Sequence, residues 1–484
     1  MLGHWTRKAG IWYNTAQGNF TMFAVLPIAV LVVALSFLKL PTWKAALLAL
    51  AAGAVDAWFF SALAPADIVS CAARGAATGL FPIGLVIVAA LFLYAVTVES
   101  GAIEDIKAGL ATLSDDRCFM ALLIAWGFGN FMEGMAGFGT AVAIPCAILV
   151  GIGFDPVKAV LCCLVANTTP TAFGSAGVPT MVLESETGLE LGRLSFFAAL
   201  LQLAATALLP FLVLFIVGGW RAVRERAALA AVAVIAFVVP WLAAAAWLGC
   251  EMPDILGGIS TMAVFAAMGR RGSMDVRRQL RAWMPFAFVV AALGLGIAAA
   301  ALGCPRVSPG VLILVAAFVG GLAQGIRPVR LFVLVATTVR KYVFALLAIC
   351  LVLALARIMG ESGMTKTLAE SLSGFAGRAY PAISSLLGSL GGFMTGSGTS
   401  SNVLFGMLQA SVGELPAEKM LYAASNVMGA GIGKMISPQS IVLGCAAAGL
   451  AGRESETMKR ALPYFIAVLA VSSVATVLFA VFQA

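Results

Sequence analysis

A glycine-rich phrase occurs twice in this chain, each time deep inside apolar sequence. Residues 129–134 read GNFMEG and residues 391–396 read GGFMTG, so the second copy begins 262 positions after the first. Glu99-Ser100-Gly101 recurs as Glu361-Ser362-Gly363 at the same offset, and no gap is needed between the two matches. Two matches at one fixed offset point to an internal duplication. Duplicated halves whose apolar segments are broken by glycine at corresponding places restrict the chain to a small set of folds, those of secondary transporters.

Composition narrows the class further. The chain is 62% hydrophobic and 11% charged, against about 25% charged in a soluble domain. Its apolar runs reach about 20 residues, the length that crosses a ~30 Å hydrocarbon core. The expected fold is an all-α polytopic membrane protein. The net charge of +8 does not point to nucleic acid, because the Lys and Arg residues cluster between apolar runs as positive-inside topology requires. The run from Thr21 to Leu38 reads as a first span rather than a cleavable signal, because no small-x-small site follows it.

Run length predicts about twelve transmembrane helices, at 21–39, 43–62, 80–98, 157–177, 194–219, 228–247, 254–269, 283–303, 309–325, 342–359, 419–450 (broken) and 461–482. Two re-entrant hairpins are predicted at 119–152 and 380–412. The chain then divides into a tail of residues 1–20, a first repeat at 21–220, connecting helices at 221–308 and a second repeat at 309–484. Three basic clusters are expected in the cytoplasm: Arg221, Arg224 and Arg226; Arg270, Arg271, Arg277, Arg278 and Arg281; and Arg327, Arg330, Arg340 and Lys341. The acidic stretch Thr180–Gly192 suits the outside. Counting spans places both termini outside, Gly101 inside and Gly363 outside, so the two repeats are inverted. Gly101–Asp116 and Gly363–Arg378 read as interfacial amphipathic helices ahead of each hairpin.

The first hairpin gathers Gly127, Gly129, Asn130, Glu133, Gly134, Gly137, Gly139 and Thr140. A regular helix does not survive that density of glycine. Irregular backbone at membrane depth is tolerated only where protein or a cavity satisfies it. Freed N–H groups at such a tip, with the half-helix that follows, form an anion site. The tips are expected at Gly134, Gly137 and Gly139, and at Gly396 and Ser397. Residues 166–180 (ANTTPTAFGSAGVPT) supply Asn167, Thr168, Thr169, Thr171 and Ser175, uncharged groups that either bind a carboxylate or hold helices together. The second half offers Ser400 and Ser401 in TGSGTSSN, and Asn426 in SNVMGAGIGKMISPQS. Asn167 and Asn426, similarly placed after Gly134 and Gly396, are pseudo-symmetric residues that suggest a site at the repeat interface.

Two charges stand apart. A charge at mid-membrane costs about 2.5–3.5 kcal/mol and so usually has a partner or a task. Glu133 and Lys434 either pair with each other, or Lys434 faces a substrate carboxylate while Glu133 takes a proton. Asp56 falls in a predicted span near an interface. The expected substrate-binding set is Asn167, Thr168, Thr169, Ser400, Ser401, Asn426 and Lys434, with Glu133 as the proton-linked group. Neither a metal nor a cofactor is expected: the nine cysteines show no ligand spacing, and the single histidine, His4, lies in the tail. Without a nucleophile–base pair in the spans, an enzyme is not expected. Cys250 and Cys304 both fall toward the outer face, which leaves a disulfide between them open.

Four segments carry a resemblance: GNFMEGMAGFGTAVAIP (129–145), ANTTPTAFGSAGVPT (166–180), GGFMTGSGTSSNVLFG (391–406) and GKMISPQSI (433–441). They resemble the L-lactate permease family of bacterial inner-membrane carriers, over most of the chain. The resemblance implies uptake of lactate, and often glycolate, with protons. It also implies kinship with ion transporters built from inverted repeats, paired hairpins and an elevator-like domain. The family pattern commonly has Pro where Ala141 stands and Asp where Gly398 stands. The partners then expected are a small carboxylate, protons and the lipid bilayer, with no nucleic acid and a homodimer left open. Coupling to Na⁺ on the same fold is the alternative, because Asn, Ser and Thr oxygens with unwound carbonyls also suit that ion.

Overall fold

Proline opens many of the helices, where its missing N–H is no loss because the first turn has no acceptor for it. The computed structural model describes residues 24–38, 40–60, 63–137, 139–269 and 275–483. The expected tail at 1–20 and the start of the first span lie outside the described residues, as do Arg270 and Arg271. Among the described residues all regular structure is helical. In chain order the helices are α1 (Leu26–Val32), α2 (Thr42–Phe60), α3 (Pro65–Glu99), α4 (Ala102–Ala111), α5 (Arg117–Met135), α6 (Thr140–Gly151), α7 (Pro156–Ala166) and α8 (Gly174–Thr187). The long α9 (Leu191–Trp247) follows, bent at Gly218–Gly219 and at Arg226. Then come α10 (Pro253–Met268), α11 (Val276–Ala301), α12 (Pro309–Ala323), α13 (Pro328–Glu361), α14 (Met364–Ala376), α15 (Tyr380–Thr395), α16 (Gly398–Val412), α17 (Pro416–Lys434), α18 (Pro438–Ala447) and α19 (Glu454–Gln483). Among the described residues, six helices are long and apolar enough to cross a membrane: α3, α5, α9, α11, α13 and α19.

The element order after Glu99 recurs after Glu361. Helix α3 spans 35 residues from Pro65 to Glu99 with a kink at Phe81, and α13 has 34 from Pro328 to Glu361. Each is followed by a glycine in the left-handed conformation, Gly101 at φ 74° and Gly363 at φ 80°. Only glycine takes that conformation without a steric penalty, which explains why the Glu-Ser-Gly phrase appears at both places. A short amphipathic helix follows (α4, α14), then two arms of a hairpin (α5 and α6, α15 and α16), then a helix broken midway (α7 and α8, α17 and α18). The long helices α3 and α13 lie antiparallel along their length. Arg330 pairs with Glu99 at one end, Gly84 faces Leu346, Gly79 packs on Cys350, and Gly75 packs on Leu353 and Ala354 at the other.

Each basic cluster sends one arginine to the segment around α4. Arg226 pairs with Asp116 at 2.7 Å, Arg278 with Asp105 at 2.6 Å and Arg330 with Glu99 at 2.7 Å. Arg226, Arg278 and Arg330, one from each cluster, therefore share one face of the molecule.

Several boundaries differ from the sequence reading. No span is expected over residues 63–79, yet α3 begins at Pro65. Asp67 and Arg74 interrupt the apolar run there, while Ile68, Cys71 and Gly75 bury one face against α13. Helix α13 starts at Pro328 rather than 342, so Arg340 and Lys341 ride on the helix instead of a loop. Part of the acidic stretch is helical, because α8 runs on to Thr187 before Gly188 ends it at φ 68°. Cys250 is buried, Cys304 is exposed, and both are free.

Candidate functional site

Four interruptions of helix meet at one place. In the first hairpin, α5 ends at Met135, and Gly137 (φ 59°) and Gly139 (φ 86°) turn the chain into α6. In the second, Gly396 (φ 62°) makes the turn, and the Ser397 hydroxyl caps α16 by accepting the Ser400 N–H at 3.3 Å. Helix α7 stops at Ala166, and α8 restarts through a left-handed turn at Ser175, Ala176 and Gly177, with φ of 49°, 53° and 84°. Helix α17 stops at Lys434, and Ser437 caps α18 by accepting the Ser440 N–H at 3.1 Å.

Contacts within and across the halves lock these pieces together. Ser175 donates its hydroxyl to the Ala136 carbonyl in the first tip at 3.0 Å. Asn402 donates from α16 to the Pro179 carbonyl in α8 at 2.8 Å. Gly396 lies against Ser437 and Gln439, and Gly398 against Thr171. Between them is a cavity of about 580 Å³. Glu133, Gly139, Thr171, Gly174, Ser175, Thr395 to Ser400, Lys434 and Pro438 to Ser440 line it, with Thr42 of α2 and Tyr342, Ala345, Ala348 and Ile349 of α13 opposite.

Its charges are a single buried pair. Lys434 Nζ donates to Glu133 Oε1 at 2.5 Å, and Asn167 Nδ2 donates to Glu133 Oε2 at 3.0 Å. Glu133 is 4% exposed and Lys434 7%. Each charge compensates the other, and losing either costs about 3–5 kcal/mol where no other ion takes its place beside the buried partner. The first turns of α16 and α18 also open on the cavity. Their unpaired N–H groups and helix dipoles add positive potential there. The chamber suits a small anion with hydrogen-bonding groups.

The expected residues divide between the wall and the layer behind it. Glu133, Gly139, Gly396, Ser397, Ser400 and Lys434 line the cavity. Asn167 stands behind Glu133 and orients it. Thr169 shares a hydrogen bond with Thr206 at 3.0 Å, Ser401 donates to the Gly388 carbonyl, and Gly137 packs on Ser175. Thr168 is buried with its hydroxyl unpartnered. Gly134 stays helical and packs on Asp254 and Ile255. Asn426 does not meet Asn167. It lies inside the unbroken part of α17, donating to Asn402 at 2.9 Å and accepting from Gln409 at 2.8 Å.

The expected set omits Thr395, Thr171 and Ser440 from the wall. Thr395 stands 262 positions after Glu133, so the repeat itself held that signal. Thr171 and Ser440 lie in stretches already marked as polar breaks. Asp254, 1% exposed beside Gly134, has no local signal, because an acidic residue in a first helical turn is ordinary.

The family model for L-lactate permease matches residues 21–298 and 306–482. The chain is 33% identical to the glycolate permease GlcA of Escherichia coli (strain K12), covering 95% of this chain and 96% of that protein. It is 30% identical to the L-lactate permease of Bacillus subtilis (strain 168), covering 98% of each. It is 35% identical to the L-lactate permease of Streptococcus iniae, covering 71% of this chain and 80% of that one. Among solved structures, the YdaH transporter of Alcanivorax borkumensis superposes with a TM-score of 0.50 over 85% of this chain and 87% of that chain, at 16% identity. That likeness is one of fold alone.

Proposed function

The chain belongs to the L-lactate permease family, and on that premise we propose that it imports a small 2-hydroxy monocarboxylate, lactate or glycolate, together with protons. It is a multi-pass protein of the bacterial inner membrane, and its relatives are permeases rather than enzymes.

The observation that carries the coupling is the buried Glu133–Lys434 pair on the cavity wall. While Glu133 is a carboxylate it occupies Lys434. A proton on Glu133 removes the competing anion and frees the ammonium for the substrate carboxylate. The net charge of the site is the same before and after, because one proton and one anion enter together. A net charge added to a dry site would be costly, so proton and anion each make room for the other. Thr171, Ser175 and Ser400 supply hydroxyls for the substrate 2-hydroxyl, and the first turns of α16 and α18 face its carboxylate.

The antiparallel match of α3 with α13 supports two inverted repeats, divided at residues 21–220 and 309–484 around connecting helices at 221–308. The two hairpins are then re-entrant, meeting near mid-membrane. The cavity's far wall on α13 is the apolar surface of Ala345, Ala348 and Ile349. A smooth wall of that kind lets the hairpins and broken helices slide as one body, an elevator-like form of alternating access.

Reconstituted vesicles test the reading. Adding lactate or glycolate outside is expected to draw protons in, seen with a trapped pH dye, equally with and without Na⁺. Uptake that needs Na⁺ and moves no protons would overturn it.

A further inference from the structure

Behind Glu133 lies a second buried carboxyl that the coupling scheme above does not use. Asp254 sits in the first turn of α10 and is 1% exposed. Its Oδ1 accepts the Trp241 indole N–H at 3.1 Å, while its Oδ2 has no hydrogen-bond partner among the described residues. No salt bridge serves it. A carboxylate served by one neutral donor in a dry site is far more costly than a protonated carboxyl there.

Its position is set by close packing. The backbone at Gly134 abuts the Asp254 side chain so tightly that a Cβ on Gly134 would lie 2.8 Å from Asp254 Cβ. Asp254 therefore touches the residue next to Glu133. Glu133 of α5, which Lys434 of α17 engages, is one residue along from that contact, and α9 contributes the Trp241 donor. Asn130, one helical turn before Glu133, is fully buried with neither amide atom hydrogen-bonded. It adds a polar group to the same flank of α5. On the other side, the Leu248–Met252 loop leads from Asp254 to Glu251, which is half-buried. Burial holds the Glu251 carboxyl above its ordinary range, with Arg306 pulling the other way.

We infer that Asp254 is a second proton-binding site, which hands its proton to Glu133 by a route separate from the substrate cavity. The inference rests on the proton-coupled reading above. Before substrate binds, Asp254 carries the proton on Oδ2 and Glu133 is the carboxylate bonded to Lys434. When the substrate carboxylate reaches Lys434, the O–H bond at Asp254 breaks and one forms at Glu133. The Asp254 carboxylate left behind is held by the Trp241 N–H until water at the Glu251 loop returns a proton. One proton moves per anion.

Vesicles containing the full-length protein test this with two readouts: exchange of labelled lactate at equal pH, and accumulation driven by an alkaline interior. One pH unit supports about tenfold accumulation by an electroneutral carrier. Asp254→Asn is expected to lose accumulation, which falls to about one with no concentration above the medium, while exchange, in which the proton can stay on Glu133 as one lactate replaces another, continues. Asp254→Glu should restore accumulation. Trp241→Phe, which keeps both carboxyls but removes the donor to the Asp254 carboxylate, should move the pH midpoint of uptake upward. Asp254→Asn that still accumulates like the wild type overturns the inference. So does Asp254→Asn that loses exchange along with accumulation, because Asp254 would then serve the fold. Wild-type vesicles that exchange neither lactate nor glycolate would instead sink the proposed function.

Discussion

At the scale of single residues, Gly398 stands where the sequence resemblance implies Asp, and the structure shows what fills the space. A Cβ on Gly398 would lie 2.6 Å from Thr171 Cγ2. An aspartate there has no room while Thr171 keeps its position. Gly398→Asp is therefore expected to lose uptake and about 1–3 kcal/mol of stability through overpacking. Adding Thr171→Ala should recover much of both, as read by vesicle uptake and thermal unfolding. A single Gly398→Asp variant as stable and active as the wild type would contradict the packing argument. Single residues were also where the sequence was read least completely. Glu133 and Lys434 stood out because a charge in an apolar run needs a reason. Asp254 did not, because its burial depends on Gly134 and Trp241, which come from two other helices. Asn426 mirrors Asn167 in spacing and so points to a site at the repeat interface, yet it faces Asn402 and Gln409 because α17 breaks two turns later, at Lys434.

At the scale of elements, glycine does two opposite jobs. Between α15 and α17, Gly388 packs on Asn426, Gly392 on Ala430, Gly429 on Ser385 and Gly433 on Ser389, so the two backbones touch as small-residue helix crossings in membranes allow. A Cβ on Gly433 would collide with the Ser389 carbonyl. Gly374 in α14 has open space around it. Gly433→Ala should therefore lower the unfolding temperature and reduce uptake. Gly374→Ala should raise stability slightly, by the ~0.5–1 kcal/mol of helix propensity that glycine forfeits. Thermal unfolding of the two purified variants checks the contrast, and equal shifts would count against it. The sequence located both hairpins and both broken helices, because clustered glycine and proline interrupt an apolar run visibly. It missed the first half of α3, because a helix that buries only Ile68, Cys71 and Gly75 on one side looks locally like a loop with charges. The start of α13 was missed for a related reason. Four basic residues in 327–341 read as a loop, and the helix is visible only once Arg330 is seen paired to Glu99.

At the scale of the whole molecule, a constant offset of 262 residues was the strongest signal in the chain, and it corresponds to physical features. The two Glu-Ser-Gly phrases are the same left-handed junction. Glu133 and Thr395, one offset apart, face the same cavity. The repeated phrase is less faithful at its end, because Gly396 makes its hairpin turn while Gly134 remains helical and leaves the turn to Gly137 and Gly139. The account joins these levels through one event. A proton on Glu133 releases Lys434, so the substrate anion and the proton depend on each other for a place in the chamber. The affinity of the wild-type protein for lactate should then rise as pH falls.

The most direct measurement is lactate binding and uptake by Glu133→Gln, followed across pH in reconstituted vesicles. A neutral amide leaves Lys434 permanently free for the anion. The variant is expected to bind and exchange lactate with little dependence on pH, and to lose accumulation driven by a proton gradient. Uphill accumulation at the wild-type level, or binding that still strengthens as pH falls, would contradict the account.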